Sequence, residues 1–528
     1  MIHTIKTEVL EEVGHFNNYM KRVWRHISLD LQEMKNGAPK SKKSDGVEEA
    51  TAHGEHQDAG ADKKREAPRR KKILIMMSDT GGGHRASANS LKAALHLMMP
   101  EDQLEVKIVD VLEDYTLWFS NRLYNWWVAY PHVWANIFHH TKRTSEKVDR
   151  TGGYAGGTTA KILEPTVRSG YRRCLAAEMP DLVVSVHPIM QVIPLEHFMK
   201  VANPAKPQDR SKRIPFVTCV TDLGEAHPWW FNVSVDKVFV PTEEMYETAI
   251  TCGMRKEQVQ VFGLPLRQGF WHLDGGEEAK QEKRRKLKLE GDAKVVLAIG
   301  GGEGMGKLDQ IAKSLGRHLA ESNVKSHLVI VCGRNQKLRQ KLERFKWPKG
   351  CELEQDGEER PTQAHEQESR SSQELGEQEG GEKGKGEQEG EEGEQEGGRE
   401  RVKVRVVGFL DNVEEYMLAS SIAEAAACGR PCMVYDFLPG QEEANVDFVL
   451  KRGMGGFEPD ANKAAQVVLS WLNDQPTLRK LSDASRKANS NPHAAHDIAA
   501  AIITLIQVSS SEAPPWADDA GAGARQTS

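Results

Sequence analysis

The stretch ILIMMSDTGGGHRA, residues 73–86, decides the fold. Its apolar opening, 73–77, predicts a short buried strand. Three glycines follow, and the residues beyond them carry a helical apolar stripe at Ala88, Leu91 and Leu95. A glycine turn between a strand and a helix presents backbone N–H groups and the positive end of the helix dipole to a polar or anionic ligand. The stretch therefore predicts a ligand-binding strand–turn–helix unit.

His84 stands at the end of this glycine turn, where its imidazole can accept a proton from a bound hydroxyl group. The turn has neither the Lys-Ser/Thr of a Walker loop nor the G-x-G-x-x-G pattern. Taken alone, such a turn is equally explained by close packing of a helix on its strand. A second glycine turn, VVLAIGGGEGMG at 295–306, indicates two Rossmann-like halves.

The chain has 528 residues, which is enough for two domains and additional segments. Residues 351–400 contain 18 acidic and five basic side chains and few apolar ones, so we predict a disordered insertion there. The rest of the chain carries +7, against −6 for the whole. This modest basic bias suits an anionic membrane surface or a phosphate-bearing ligand, and we expect no nucleic-acid partner.

The seven cysteines are scattered and form no C-x-x-C pair, which indicates reduced thiols and no metal site. No apolar run approaches the length of a membrane span. The first 70 residues lack a hydrophobic signal core and do not have the Ser/Arg-rich composition of a transit peptide. The N-terminal sequence itself therefore leaves targeting open.

From residue 71 onward, short apolar strands alternate with helical patterns, which predicts an α/β fold with parallel sheets. We predict an N-terminal segment 1–70, domains over 71–268 and 269–508, and a disordered tail 509–528. The candidate strands are 73–77, 105–110, 182–186, 215–220 and 237–240 in the first domain, and 295–299, 327–332, 402–407 and 432–435 in the second.

An aromatic stretch between the second and third predicted strands contains four of the eleven tryptophans. Leu123, Trp127, Tyr130 and Trp134 repeat there at helical spacing. Such a helix belongs either in a protein core or at a membrane interface, where tryptophan rings lie beside cations. We favour the membrane interpretation. The membrane-contacting residues are predicted to be Trp118, Trp126, Trp127 and Trp134.

Nine motifs follow one another along the chain: SDTGGGHRAS (78–87), SVHPIMQ (185–191), VTDLGEAHPWWF (220–231), FGLPLR (262–267), IGGGEGMG (299–306), VCGRN (331–335), GFLDNVEEYM (408–417), SIAEA (421–425) and GQEEANVDFV (440–449). As an ordered set they resemble the monogalactosyldiacylglycerol synthases of chloroplast envelopes. They are more distantly similar to the bacterial peptidoglycan N-acetylglucosaminyltransferase and to diacylglycerol glucosyltransferases. The resemblance covers 71–508 apart from the acidic insertion.

The resemblance implies two facing Rossmann-like domains of GT-B architecture, the first holding diacylglycerol and docking on the membrane, the second holding UDP-galactose. It implies inverting transfer of galactose to 1,2-diacylglycerol by a peripheral protein of the chloroplast envelope, on an anionic lipid surface and without a cofactor. This chemistry needs a base for the acceptor hydroxyl and stabilisation of the UDP leaving group. The donor region has no D-x-D motif, which favours arginine and a helix dipole over a metal for that second task.

For the first domain, the resemblance makes His84 the base and Asp79 its orienting partner or an acceptor ligand. Both residues have structural alternatives: a histidine that bonds backbone at a helix start, and an aspartate that caps a turn. The implied acceptor-binding residues are Gly82, Gly83, His187, Asp222, His227 and Trp230. Their alternatives are a strand-end turn for His187, a loop hydrogen-bond pair for Asp222 and His227, and a packed core ring for Trp230.

For the second domain, the implied donor-binding residues are Gly300, Gly301, Gly302, Glu303, Gly304, Arg334, Phe409, Leu410, Glu424, Gln441, Glu442 and Asn445. Arg334 meets phosphate or the base, or is a surface arginine. Glu424 accepts the ribose hydroxyls, or forms a capping box with Ser421. Amide and carboxylate groups such as Gln441, Glu442 and Asn445 discriminate sugar hydroxyls by paired hydrogen bonds.

One departure from the family precedes Ser421, because the chain runs from Met417 directly into the SIAEA helix. A strand and a Gly-Pro-Gly-Thr-type turn, which would cradle the donor pyrophosphate, are absent. Unpairing an interior strand leaves buried amides that cost about 1–3 kcal/mol each. Three explanations stay open: a lost block of sequence, a preceding helix that unwinds, or a catalytically inactive lipid-binding relative. Among enzymes, the alternative is the same chemistry with UDP-glucose.

Overall fold

The computed structural model describes residues 70–78, 83–115, 131–145, 170–190, 195, 214–271, 276–301, 306–354, 401–408, 422–440, 442–488 and 491–508. These residues pack into two compact units, each built on a parallel sheet. The predicted α/β class with two Rossmann-like units is therefore confirmed. Within the described ranges, no helix is both long enough and apolar enough to cross a bilayer.

The first unit contains a six-stranded parallel sheet in the order β2-β1-β3-β4-β5-β6. The strands are β1 Lys71–Met77, β2 Leu104–Asp110, β3 Leu182–Ser185, β4 Phe216–Cys219, β5 Lys237–Val240 and β6 Val259–Val261. β3 and the apolar part of β1 are buried on both faces, as parallel strands between helix layers are. Five strands lie where the sequence predicts them. β6 was missed because three residues carry too short a pattern.

Helices cover this sheet and close its core. They span Gly83–Met98, Val111–Asp114, Pro131–Ser145, Glu243–Thr251, Glu443–Lys451 and Ala494–Val508. The predicted apolar stripe of Gly83–Met98 is buried, and Ile498 and Ile502 of Ala494–Val508 join the same core. Residues 437–452 and 488–508 thus belong to the first unit, which differs from the predicted domain 269–508. For the last helix, the reason is that the apolar face of Ala494–Val508 packs against Gly83–Met98, which is distant in sequence.

The second unit contains a four-stranded parallel sheet in the order β7-β8-β10-β9 and a separate parallel pair, β11-β12. The strands are β7 Lys294–Ile299, β8 Ser326–Val331, β9 Cys351–Glu354, β10 Val402–Val407, β11 Cys432–Val434 and β12 Gly455–Phe457. The helices are Gly276–Lys286, Leu308–Glu321, Gln336–Glu343, Ile422–Ala427, Ala461–Asn473 and Gln475–Ala488.

β9 corrects the predicted start of the acidic insertion, since residues 351–354 are an ordered edge strand. Its last residue, Glu354, accepts a hydrogen bond of 2.8 Å from the buried Arg405 of β10. A glutamate in an acidic run is therefore ordered here because a buried cation needs a partner. The remainder of the predicted insertion, 355–400, lies outside the described residues.

The two sheets of the second unit are separated between β7 and β11. Within the described residues, β7 pairs only with β8, and its residues Val295, Leu297 and Ile299 are half-buried while all of β8 is buried. One side-chain bond crosses the separation, from the Tyr435 hydroxyl to the Ile299 carbonyl oxygen at 2.8 Å.

The buried carboxylate of Glu178 links β1 and β2 of the first sheet. Glu178 is 5% exposed at its side chain and lies 2.8 Å from Lys72 of β1 and 2.5 Å from Lys107 of β2. The Tyr115 hydroxyl donates to the same carboxylate at 2.9 Å. Burial alone would raise the pKa of Glu178, but these three donors lower it to about 2. The carboxylate therefore stabilises the folded state in its charged form.

We expect Glu178→Gln to lower the free energy of unfolding of the first unit by about 2–3 kcal/mol at pH 7, since charge-assisted bonds are lost. The folded-state pKa is depressed, so the wild-type advantage is complete above the ordinary pKa of 4.5 and disappears as the pH falls toward 2. Urea unfolding at several pH values measures it. The control is Glu105→Gln, whose half-exposed carboxylate lies 3.2 Å from the same Lys72 and should change stability by under about 1 kcal/mol. Equal losses in both variants would contradict the assignment.

Candidate active site

Three neighbouring strands of the first sheet end at one edge, and the predicted acceptor residues follow them. His84 lies in the helix after β1, His187 follows β3, and Asp222 follows β4. The carboxyl ends of parallel strands are where open α/β sheets bind ligands. The ring centroids of His84 and His187 are 4.6 Å apart, and those of His84 and Trp230 are 6.3 Å apart. Residues predicted from separate motifs thus meet in one cluster.

His84 is buried, and its Nδ1 atom is held by two oxygens. Nδ1 lies 2.8 Å from the Val186 carbonyl oxygen and 2.8 Å from the Thr221 hydroxyl oxygen. That hydroxyl also donates to the Val186 carbonyl at 3.3 Å. Because a carbonyl oxygen only accepts, Nδ1 carries the proton and the neutral ring has its lone pair on Nε2. His84 can therefore act as a base through Nε2.

The other two histidines have the opposite tautomer. In each, the backbone N–H two residues further along donates to Nδ1, at 3.2 Å in His187 and 3.1 Å in His227. Burial, together with the proximity of His84, lowers the pKa of His187 well below its ordinary value. Burial lowers the pKa of His227 to about 3. Both rings are neutral at pH 7 and carry an N–H at Nε2, so of these three histidines only His84 has the lone pair there.

The buried Trp230 and the half-buried Asp222 form a pair beside this cluster. Trp230 is fully buried in the core, and its indole N–H donates to Asp222 at 2.6 Å. The structural alternative of a packed core ring therefore describes the position of Trp230. Asp222 does not pair with His227, whose Nε2 instead lies 3.3 Å from the Thr141 hydroxyl. Contact of these residues with a substrate stays a prediction.

Burial raises the pKa of Asp222 to about 6, and the indole N–H of Trp230 opposes this only in part. The carboxylate is therefore charged at pH 7 at the expense of stability. Perturbed carboxylates of this kind concentrate at functional sites. The raised pKa of Asp222 agrees with a role at the site, while its hydrogen bond to the core ring of Trp230 also suits a structural one.

We expect Asp222→Asn to raise the free energy of unfolding by about 2–3 kcal/mol at pH 8, because the buried charge is removed while an oxygen remains for the Trp230 indole. The folded-state pKa is raised, so the gain should vanish as the pH falls below the ordinary value of 3.8. Thermal or urea unfolding between pH 3.5 and 8 measures it. The control is Asp236→Asn, whose carboxylate accepts the Phe216 N–H at 2.8 Å and should give no gain. Destabilisation by Asp222→Asn at pH 8 would disprove the argument.

In the second unit, the ends of β7 and β8 bring three predicted donor residues to one edge. Gly300 and Gly301 follow β7 and Arg334 follows β8, and the last residues of the two strands are paired. Gly301 has φ +69, a left-handed conformation that favours glycine, with open space where a side chain would stand. Arg334 is exposed, which suits contact with a soluble anion and equally suits a surface arginine.

The far end of this glycine turn is fixed by a residue that the sequence analysis missed. Gly306 has φ +77, and a β-carbon there would lie 2.8 Å from a carboxylate oxygen of Asp436. Asp436 follows β11, so the turn after β7 packs against the end of a strand from the other sheet. No local pattern marks Asp436, because the contact depends on the tertiary arrangement of the two strand ends.

The three remaining described donor candidates lie on two helices. Glu424 is 4% exposed in the first turn of Ile422–Ala427, which suits either ribose hydroxyls or a helix cap. Glu442 is exposed, and its carboxylate accepts the Leu438 N–H at 2.8 Å. Asn445 is half-buried in the first turn of Glu443–Lys451 and donates its N–H to the Glu442 carbonyl at 3.0 Å. The structure thus places Glu442 and Asn445 in the first unit.

Other predicted residues are only partly described. Gly83 opens the helix Gly83–Met98 and is exposed. For Trp134 the structure gives only the backbone, within Pro131–Ser145. The predicted residues outside the described ranges are Asp79, Gly82, Trp118, Trp126, Trp127, Gly302, Glu303, Gly304, Phe409, Leu410 and Gln441. Their roles stay predictions.

The family model and relatives similar to this chain name the same family. Residues 84–266 match the family model described as monogalactosyldiacylglycerol (MGDG) synthase. The chain is 31% identical to chloroplastic monogalactosyldiacylglycerol synthase 3 of Arabidopsis thaliana, over 84% of this chain and 83% of that protein. It is also 31% identical to synthase 2 of the same plant, over 84% and 82%. Among solved structures it is similar to MurG of Acinetobacter baumannii, with a TM-score of 0.44 and 12% identity over 83% of this chain and 99% of that one.

Proposed function

This chain belongs to the monogalactosyldiacylglycerol synthase family, and we propose that it transfers galactose from UDP-galactose to 1,2-diacylglycerol with inversion at the anomeric carbon. The histidine cluster carries the proposal. His84, His187 and His227 all lie in the range 84–266 that matches the family, and His84 is the one with its lone pair on Nε2. A buried histidine base with the neutral His187 ring beside it, at 4.6 Å between centroids, suits the deprotonation of a bound hydroxyl.

In the proposed reaction, Nε2 of His84 takes the proton of the acceptor hydroxyl as its oxygen attacks the anomeric carbon. The bond from that carbon to UDP breaks, and its electron pair leaves with the diphosphate. Attack from the opposite face converts the α-linked donor to a β-galactoside. The Nδ1–H of the resulting imidazolium is held by the Val186 carbonyl and Thr221, which stabilises the charge that develops. The neutral His187 donates a hydrogen bond to an acceptor oxygen, and His227, whose Nε2–H is held by the Thr141 hydroxyl, contacts the acceptor through its ring.

We assign the donor to the residues after β7 and β8. Backbone N–H groups of Gly300 to Gly304 and the guanidinium of Arg334 stabilise the charge on the leaving UDP, since fixed donors in place of water lower the barrier. Glu424 accepts the ribose hydroxyls, and Phe409 and Leu410 contact the uracil. Gln441, Glu442 and Asn445 recognise the galactose hydroxyls. Asp79 and Asp222 act on the acceptor side.

We also propose that the protein works as a peripheral protein on an anionic membrane of the chloroplast envelope. The relatives are chloroplastic by name. Pro131–Ser145 ends with Lys142 and Arg143 in its last turn, and Trp134 lies in its first turns. A helix that combines tryptophan with terminal cations suits the headgroup region of a bilayer. Trp118, Trp126 and Trp127 extend the same proposed surface.

The decisive assay offers UDP-galactose and UDP-glucose separately with diacylglycerol in anionic lipid micelles, and identifies the product by mass and its anomer by NMR. We expect β-galactolipid. A preference for UDP-glucose would disprove the sugar assignment. No product with either donor, together with no binding of UDP, would identify an inactive lipid-binding relative, the possibility that the separation of β7 from β11 raises.

His84→Ala is expected to lower kcat by roughly 10²–10⁴-fold in this assay, the usual contribution of a general base. Binding of UDP, measured by calorimetry, should be unchanged, because the variant removes only the proton acceptor. The matched control is His96→Ala on the same helix, which should leave kcat within about twofold. An unchanged kcat in His84→Ala would remove His84 from the role of base.

Thr221→Val replaces the hydroxyl beside Nδ1 of His84 with a methyl group of similar size. We expect kcat/KM to fall about tenfold, equivalent to about 1.4 kcal/mol, because one acceptor that orients and stabilises the imidazolium is lost. The effect should appear in kcat and leave the KM for UDP-galactose unchanged. Thr221→Ser keeps the hydroxyl and should retain activity. Equal losses in the two variants would point to packing instead of the hydroxyl.

A further inference from the structure

The segment 437–452, which carries Glu442 and Asn445, contacts the loop 222–227 through backbone atoms within the first unit. A β-carbon added at Gly224 would lie 2.1 Å from the Ala444 carbonyl oxygen and 2.7 Å from the Asn445 backbone nitrogen. Backbone atoms cannot rotate aside as a side chain can, so no larger residue fits at 224 without displacing one of the two segments. Gly224 therefore makes this close approach possible.

The helix Pro131–Ser145 holds the same segment from a second side. Its residue Phe138 lies against Gly440, where a β-carbon would come within 3.1 Å of the phenylalanine β-carbon and where φ is +87. The next residue is His139, whose imidazole lies 3.5 Å from the Glu443 carboxylate. The helix also reaches the loop directly, through an ion pair of 2.6 Å between Lys142 and Glu225. Helix, loop and segment thus form one continuous contact.

Two hydrogen bonds make the first turn of Glu443–Lys451 and the residues before it a rigid unit. The Leu438 N–H is bonded to the Glu442 carboxylate at 2.8 Å, and the Asn445 N–H to the Glu442 carbonyl at 3.0 Å. A displacement at Ala444 would therefore carry Glu442 and Asn445 with it. The loop on the other side of the contact carries Asp222 and His227, and the His227 ring is 5.1 Å from the Phe138 ring.

We propose that Gly224 is a positioning residue that sets where the donor sugar stands relative to the acceptor. Its missing side chain lets the acceptor loop 222–227 seat the turn with Glu442 and Asn445, so that sugar and acceptor hydroxyl are placed by one rigid contact. This inference rests on the proposed function. Displacement of such a turn by about 1 Å typically costs on the order of 10²-fold in rate, which makes the contact a requirement for efficient transfer.

Gly224→Ala tests the proposal in the full-length protein. We expect kcat/KM for UDP-galactose to fall roughly 10- to 100-fold, with a higher KM for UDP-galactose and an unchanged KM for diacylglycerol. Calorimetric binding of UDP-galactose should weaken, while binding of UDP, which lacks the sugar, should not. The control is Gly291→Ala, where the added methyl meets only a Gln281 side-chain oxygen at 3.6 Å and activity should be unchanged.

A folded Gly224→Ala protein with wild-type affinity and KM for UDP-galactose would overturn the proposal. If that variant does not fold, Phe138→Ala replaces it, because it removes the ring against Gly440 and adds no atom. This second variant must also raise the KM for UDP-galactose, and an unchanged KM overturns the proposal. Failure of the proposed function is seen separately, as absence of galactolipid from the wild-type protein. If that protein still binds UDP-galactose, the calorimetric comparison decides the role of Gly224; if it binds none, the proposal is overturned together with the function.

Discussion

The hydrogen bond between His84 and the carbonyl oxygen of Val186 connects the sheet to the proposed base. The N–H of Val186 extends the pairing of β3 with β1 by a bond of 3.1 Å to Met76, while its carbonyl lies 2.8 Å from Nδ1 of His84. One residue therefore extends the pairing of two central strands and fixes the tautomer of the proposed base. Because β1 and β3 are buried, the imidazole inherits the rigidity of the core, which is what a site with a single productive geometry needs.

Two carboxylates of the first unit, the buried Glu178 and the half-buried Asp222, differ in how their surroundings treat the charge. Glu178 receives three donors, two of them cationic, and its pKa is lowered to about 2. Asp222 receives one neutral donor from Trp230, and burial raises its pKa to about 6. The difference follows from the number and charge of the partners, since both groups lose solvent. Glu178 stabilises the amino-terminal part of the sheet, whereas Asp222 keeps a destabilising charge at the edge where ligands bind.

The sequence predicts those parts of the fold that short-range patterns determine. Apolar runs locate nine of the strands, and the glycine turn marks the start of the helix that carries His84, the proposed base. β6 and β12 escape prediction because each is only three residues long, and β9 because it is polar and adjoins an acidic run. The contact of Thr221 with His84 and the tautomers of the histidines depend on how three strand ends align. No single sequence motif contains that information. The same holds for Gly224. It lies within a recognisable motif, but the need for glycine there is explained only by its close approach to the backbone of Ala444.

The sequence departs from the family pattern before Ser421, in the second unit, whereas the histidine cluster lies in the first. The departure should therefore affect donor binding and proton transfer differently. Within the described residues, β7 and β11 are linked by the Tyr435–Ile299 bond in place of a strand ladder, and the outer residues of β7 are half-buried. An apolar strand in that position is a stability and aggregation liability for the second unit. The base, its two oxygen partners and the neutral histidines all stand on the uninterrupted six-stranded sheet. A loss caused by the departure should therefore appear as weaker donor binding, with the proton-transfer geometry of His84 unaltered.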